Sequence, residues 1–174
     1  MAHGYVSYEI VITAIVVKDG KYLITQRSMK KPRFPGMWTV PGGHLEPSDY
    51  LSLPKDTEHY WYNVLEKVLR REVKEEVGID INNIEYVTSL ATVHKEGTTE
   101  CPSLVISCVA DYISGEVEMQ EGETDDYKWV SVEEAKNYKL IDGIYDEIVM
   151  ADNLRKGSPR GEADNKKEWS RTKF

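Results

Sequence analysis

The chain has 174 residues, enough for one well-buried domain and short for two. Thirty acidic against 22 basic side chains leave a formal charge of −8, which argues against a general binder of nucleic acid or of anionic membranes. Cys101 and Cys108 lack metal-ligand spacing and read as reduced thiols, the apolar run 10–17 is too short to span a bilayer, and no secretory leader is visible, so the cytoplasm is the expected setting.

Residues 10–17 are β-branched and nearly continuous, as in a strand buried on both faces. Asp19-Gly20 signals a hairpin, and the chain returns over 21–28 with Tyr22, Ile24 and Gln26 alternating. Arg27 ends that strand. The loop 28–36 is basic at Lys30, Lys31 and Arg33 and stiffened by Pro32 and Pro35. Beside an acidic site it would draw in polyphosphate; otherwise it is a solvated face. A short strand over 37–40 then delivers the loop Pro41-Gly42-Gly43, where the missing Cβ atoms let backbone approach a ligand.

Residues 50–63 crowd Tyr50, Tyr60, Trp61 and Tyr62 around Pro54 and Asp56. Packing is the first reading, with a base-stacking lid or a homodimer surface as alternatives. Asp56 or Thr57 is placed to cap a helix leading into the next segment. From about Val64 the pattern is helical, and at about 100° per residue Leu65, Val68 and Leu69 fall within roughly 60° of Glu72. Glu75 and Glu76 lie in the same sector, so one face begins as core and ends as three carboxylates before Gly78 stops the helix. Their mutual repulsion and desolvation call for a cation, and a hard divalent ion, Mg²⁺ or Mn²⁺, suits oxygen ligands. The plain alternative is a solvated helix end with Arg71 and Glu75 paired at i,i+4.

Strands are expected over 84–94 and 103–112, joined by a polar loop, 95–102. An acidic loop at 115–124 holds Glu116, Glu118, Glu121 and Glu123; Asp125 and Asp126 precede a strand at 127–130. Ser131 to Glu134 forms a capping box, and a second helix fits 142–154. From Arg155 onward the chain is charged and punctuated by Gly and Pro, as a mobile tail would be.

The run Arg71-Glu72-Val73-Lys74-Glu75-Glu76-Val77-Gly78-Ile79, with Pro41-Gly42-Gly43-His44-Leu45-Glu46-Pro47 upstream, resembles the Nudix box of Nudix hydrolases. The resemblance covers most of residues 5–150. It implies an α/β fold, the Nudix α/β/α sandwich, with a mixed sheet and helices on both sides, in a single domain over 1–154. It implies metal-dependent hydrolysis of a nucleoside diphosphate linked to a group X, with a nucleoside triphosphate as the nearest substrate class. Glu72, Glu75, Glu76 and the Gly42 carbonyl become the metal ligands, and Arg71 the residue that orients a glutamate. Arg27, Trp38 and Gly43 become substrate contacts. Glu72, Glu76 or an acid within 116–126 would accept the proton of the attacking water. The implied partner is a small nucleotide, with no nucleic acid or membrane.

One departure from the family pattern is plain. Counted from Gly43, the first Glu of the box falls on Asp49; counted back from Arg71, it falls on Asn63. Asp49 and Arg71 lie 22 positions apart where the family has eight, so 14 residues are inserted. The proline that marks many ADP-ribose hydrolases, about fifteen residues past the box, is missing, as Pro102 lies 24 past Gly78. ADP-ribose or another nucleotide sugar remains the alternative substrate. A nucleotide-binding module without catalysis is the alternative of another kind, and three surviving carboxylates argue against it.

Overall fold

The computed structural model describes residues 7–96 and 99–157. Strand β1 (Glu9–Lys18) is its axis. It pairs antiparallel with β2 (Lys21–Arg27) only near the turn, at Val17↔Tyr22 and Lys18↔Lys21. Toward its start the two strands part, and β4 (Gly42–His44) takes that edge of β1 with Ile12↔Gly43 and Thr13↔Gly42. The other edge of β1 runs parallel to β6 (Thr99–Ser114), which pairs antiparallel with β5 (Asp80–Glu96). Short β3 (Trp38–Thr39) and β7 (Thr124–Val130) both pair with β2. The sheet is therefore mixed, as expected.

Alternation along β1 feeds two cores. Ile12, Ala14 and Val16 pack with Val68, Leu69, Val73 and Val77 of helix α2 (Val64–Val77). Ile15 packs with Tyr22, Ile24 and Val109 against Ala135 of α3 (Val132–Ala135) and Ile144, Ile148 and Ala151 of α4 (Ile144–Arg155). Both faces of the strand being apolar, helices must cover both sides, which makes the sandwich. The capping box forms as expected: Ser131 Oγ accepts from Glu134 N at 3.1 Å, and Ser131 N donates to the Glu134 carboxylate at 2.8 Å. Among the described residues no helix is long and apolar enough to cross a membrane.

Three expectations are corrected. The polar loop 95–102 is mostly ladder: β5 and β6 stay paired out to Glu96↔Thr99, because two long antiparallel strands satisfy each other's backbone. Asp56 and Thr57 cap no helix. Their side chains close local turns, Asp56 Oδ2 accepting from Tyr62 N and Thr57 Oγ1 from Tyr60 N, both at 2.9 Å, and α2 starts only after Asn63, which sits at φ 55°. Gly42-Gly43 is strand rather than loop. The expected tail falls, from residue 158 on, outside the described residues.

Candidate active site

The parting of β1 and β2 positions the site. Only glycine fits at position 42, where a Cβ would lie 2.3 Å from the Ile12 carbonyl oxygen. At position 43 a Cβ would lie 2.2 Å from the carboxyl carbon of Glu72. The two glycines thus let β4 lie against β1 on one side and let the last turns of α2 bring a carboxylate onto bare backbone on the other. Helix α2 is held there by its buried row of Val68, Leu69, Val73 and Val77, worth about 1.5–3 kcal/mol each. Gly78 closes it at φ 74°, its N–H donating to the Lys74 carbonyl at 3.0 Å. The acidic loop seals the remaining carbonyls, Glu118 N donating to Val77 O at 3.1 Å and Gln120 N to Glu76 O at 3.0 Å.

Arg71 is the hub of the outer row. Its Nη2 lies 2.7 Å from Asp49 Oδ1 and 2.9 Å from Glu72 Oε1, and its Nη1 lies 2.9 Å from Glu75 Oε2. Asp49 Oδ2 accepts from Glu46 N at 2.7 Å, which fixes the short helix α1 (Ser48–Leu51) beside α2. Across the 14 inserted residues, then, Asp49 reaches the box arginine. Counting forward from Gly43 was the signal that could find it. Burial raises the pKa of Glu72 above its ordinary value; Arg71 opposes this, and Glu75 and Asp49 add to it.

Glu76 faces inward. One oxygen accepts from Gly42 N at 3.0 Å and the other from the Thr124 hydroxyl at 3.1 Å. Burial pushes its pKa up to about 7, against those two donors and the nearby Arg27, while Glu123 adds to the rise. Thr124 is the contact sequence reasoning missed, since one threonine at the start of a strand carries no distinguishing signal.

Arg27 lies near Glu76, its Nε donating to the Arg33 carbonyl at 3.0 Å. Trp38 does not. It is 8 % exposed in the core under α4, edge-on to Tyr138 with ring centroids 4.8 Å apart, so its first role is packing. The basic loop is largely spoken for: Lys31 pairs with Glu123, Arg33 with Glu9 at 3.2 Å, and Met29 N donates to Asp125 at 3.0 Å. Asp126 pairs with Lys128 at 2.8 Å.

The donor set fits a hard divalent cation: all oxygen, anionic, partly desolvated and set on bare glycine backbone. Among the described residues no three His, Cys, Asp or Glu already converge as an ion-binding group. Arg71 supplies the countercharge for Glu72 and Glu75 instead.

In comparison with known proteins, residues 8–150 match the NUDIX domain. The chain belongs to the Nudix family. Among its Nudix relatives, the NAD-capped RNA hydrolase NudC of Chromobacterium violaceum is 29% identical over 120 residues, covering 68% of this chain and 37% of that protein. The nucleoside triphosphatase NudI of Klebsiella pneumoniae is 27% identical over 143 residues, covering 75% of this chain and 86% of that one. The crystal structure of the MutT protein from Methanosarcina mazei is 25% identical with a TM-score of 0.60, covering 86% and 96%. The chain spans less than half the length of the first NudC and NUDT12 relatives it matches. Divalent metals are the usual cofactors of Nudix hydrolases.

Proposed function

We propose that this chain is a Mg²⁺- or Mn²⁺-dependent hydrolase of nucleoside diphosphates linked to a further group, acting foremost on nucleoside triphosphates. The observation that carries the reading is the placement of Glu72 against Gly43 and of Glu76 on Gly42 at the end of α2, with Glu75 tied to Glu72 through Arg71 and Arg27 near Glu76. The likeness to NudI spans most of both chains and supports the triphosphate class.

Glu72, Glu75, Glu76 and the Gly42 carbonyl would hold the metal, which when bound screens the phosphate oxygens and stabilises the departing phosphate. Arg71, anchored by Asp49, orients Glu72 and Glu75. Arg27 presents a guanidinium to the polyphosphate. Glu76, whose pKa burial pushes up to about 7, takes the proton of the attacking water. The rate gain comes mainly from positioning and electrostatics.

A panel of nucleoside triphosphates, ADP-ribose and NAD, each with Mg²⁺ and with Mn²⁺, tests this through phosphate or pyrophosphate release from the triphosphates and AMP formation from ADP-ribose and NAD. Triphosphates are expected to give the highest kcat/KM. No cleavage of any member of the panel with either ion would sink the reading.

A further inference from the structure

The start of β1 carries a carboxylate that the proposed reaction does not use. Glu9 gathers side chains from four other parts of the fold. Its Oε1 lies 3.2 Å from Arg33 Nη2, in the basic loop, and 2.8 Å from His44 Nε2, on β4. Its Oε2 accepts from the Ser103 hydroxyl of β6, and His94 Nδ1 of β5 lies 3.9 Å away. Burial alone would raise the Glu9 pKa, but Ser103, Arg33 and His44 outweigh it and hold the carboxyl down at about 2. Glu9 is therefore an anion at any working pH, with both oxygens engaged. A carboxylate paired in this way holds other groups in place and has little left with which to read a ligand.

Two of those groups lead to the active site. His44 follows Gly43 on β4, and the Gly42 amide donates to Glu76 at 3.0 Å. Arg33 lies six residues past Arg27, and its carbonyl accepts from Arg27 Nε at 3.0 Å. That bond fixes the plane of the Arg27 guanidinium and leaves its terminal nitrogens for a bidentate contact with phosphate. Arg27 also lies close enough to Glu76 to oppose the rise that burial imposes on its pKa. The contacts thus run in a ring: Arg27 to Arg33, Arg33 to Glu9, Glu9 to His44, along β4 to Gly42 and Glu76, and back to Arg27. The first half of the basic loop has other ties, with Lys31 paired to Glu123 and Ser28 N donating to the Glu123 carbonyl at 2.9 Å. Over 32–35 the polar side-chain tie among the described residues is Arg33 to Glu9.

We propose that Glu9 is a positioning residue for the polyphosphate: through Arg33 it sets where Arg27 stands relative to Gly42-Gly43. It acts on substrate binding rather than on the chemical step. This rests on the proposed hydrolysis of nucleoside triphosphates, in which Arg27 meets phosphate. Without the Glu9 charge the outer half of the loop loses its anchor, and the Arg27 guanidinium must be ordered anew for each substrate. Gly42 and Gly43 stay in their ladder with β1, and α2 keeps its own packing, so the chemical step is spared.

Steady-state kinetics on a nucleoside triphosphate with Mg²⁺ test this with Glu9→Gln, Arg27→Ala and the double variant. Glu9→Gln should raise KM about tenfold and leave kcat within about threefold of the wild type. Arg27→Ala should raise KM at least as much. Adding Glu9→Gln to it should change KM no further, because the group it acts through is gone. A Glu9→Gln variant that lowers kcat instead, or whose effect multiplies with that of Arg27→Ala, overturns the proposal. Arg33→Gln, on an exposed side chain, should reproduce the KM rise and replaces Glu9→Gln if melting shows that variant unfolded. Calorimetric titration with inorganic triphosphate in Ca²⁺ reads the same coupling without turnover, so a chain that cleaves no nucleotide fails the proposed function and still tests this one. There Glu9→Gln should weaken binding about tenfold in the wild-type background and not beside Arg27→Ala. Equal affinity in wild type and Glu9→Gln, or no binding by either, overturns the proposal.

Discussion

Each face of the sheet turns one glutamate inward, Glu76 half-buried and Glu147 buried, and the two are treated differently. Glu76, under α2, has a partner for each oxygen, the Gly42 amide and the Thr124 hydroxyl, and Arg27 nearby. Glu147, under α4, is 4 % exposed; its Oε2 has no hydrogen-bond partner among the described residues, and neither do Thr13 Oγ1 and Ser107 Oγ. Burial raises the Glu147 pKa and Asp146 adds to it; the Ser107 hydroxyl is close enough to oppose the rise, though without the geometry of an ordinary hydrogen bond. A desolvated carboxylate with matched donors is held ready for ionised work. One without them is a standing cost to the fold.

The sharpest way to break that contrast is Glu76→Gln. The amide keeps the volume but not the anion, and kcat should fall about 10²-fold or more while the fold persists, seen by steady-state kinetics beside a melting curve. Unchanged turnover would remove Glu76 from the working set. Asp49→Ala comes next. Freed from its anchor, Arg71 should hold Glu72 and Glu75 less well, lowering activity about 10–100-fold and weakening the apparent affinity for Mg²⁺, with Asp49→Glu recovering part of both.

A third difference lies in pH. The folded Glu76 binds its proton up to about pH 7, whereas the unfolded chain releases it near 4.5. Between these values the native state holds more protons, so stability should fall as pH rises, by on the order of 3 kcal/mol from this group. Denaturant unfolding in chelator should show the decline, and Glu76→Gln should flatten it. The smallest effect is expected at Glu147→Met. Replacing an imperfectly paired buried carboxyl with an apolar group of similar size should raise stability by about 1 kcal/mol and leave kcat/KM unchanged, as urea midpoints and kinetics would show.

Much of this molecule was legible in advance. The apolar continuity of β1 demanded cover on both faces, and the 3.6-residue period of α2 brought Glu72 and Glu76 to Gly42-Gly43, while Glu75 turned outward to Arg71. The spacing of the glycines announced close backbone approach. What escaped were features fixed by tertiary contact. Trp38 looks like a rim residue beside Gly42-Gly43, yet strand alternation turns it to the opposite core. Thr124 gains meaning only when β7 lies beside the end of α2. The 95–102 stretch is polar enough to read as loop because the hairpin there is exposed, so its strand character comes from cross-strand pairing rather than from burial. Glu147 hides within an ordinary helical pattern, where one polar residue among apolar neighbours says nothing about which side it faces.

The tie between Asp49 and Arg71 also says something about how this chain can grow. The segment it encloses satisfies much of its bonding internally: Asp56 N and Thr57 N donate to the Tyr60 carbonyl, and Trp61 Nε1 donates to the Leu53 carbonyl at 2.9 Å. Doubling a flexible loop costs only about 0.6 kcal/mol in closure entropy. The catalytic signature is therefore a constellation rather than a string, with a permissive port set into its middle, open to lineage-specific sequence or to an engineer's reporter domain without a break in the ring of charge around Arg71.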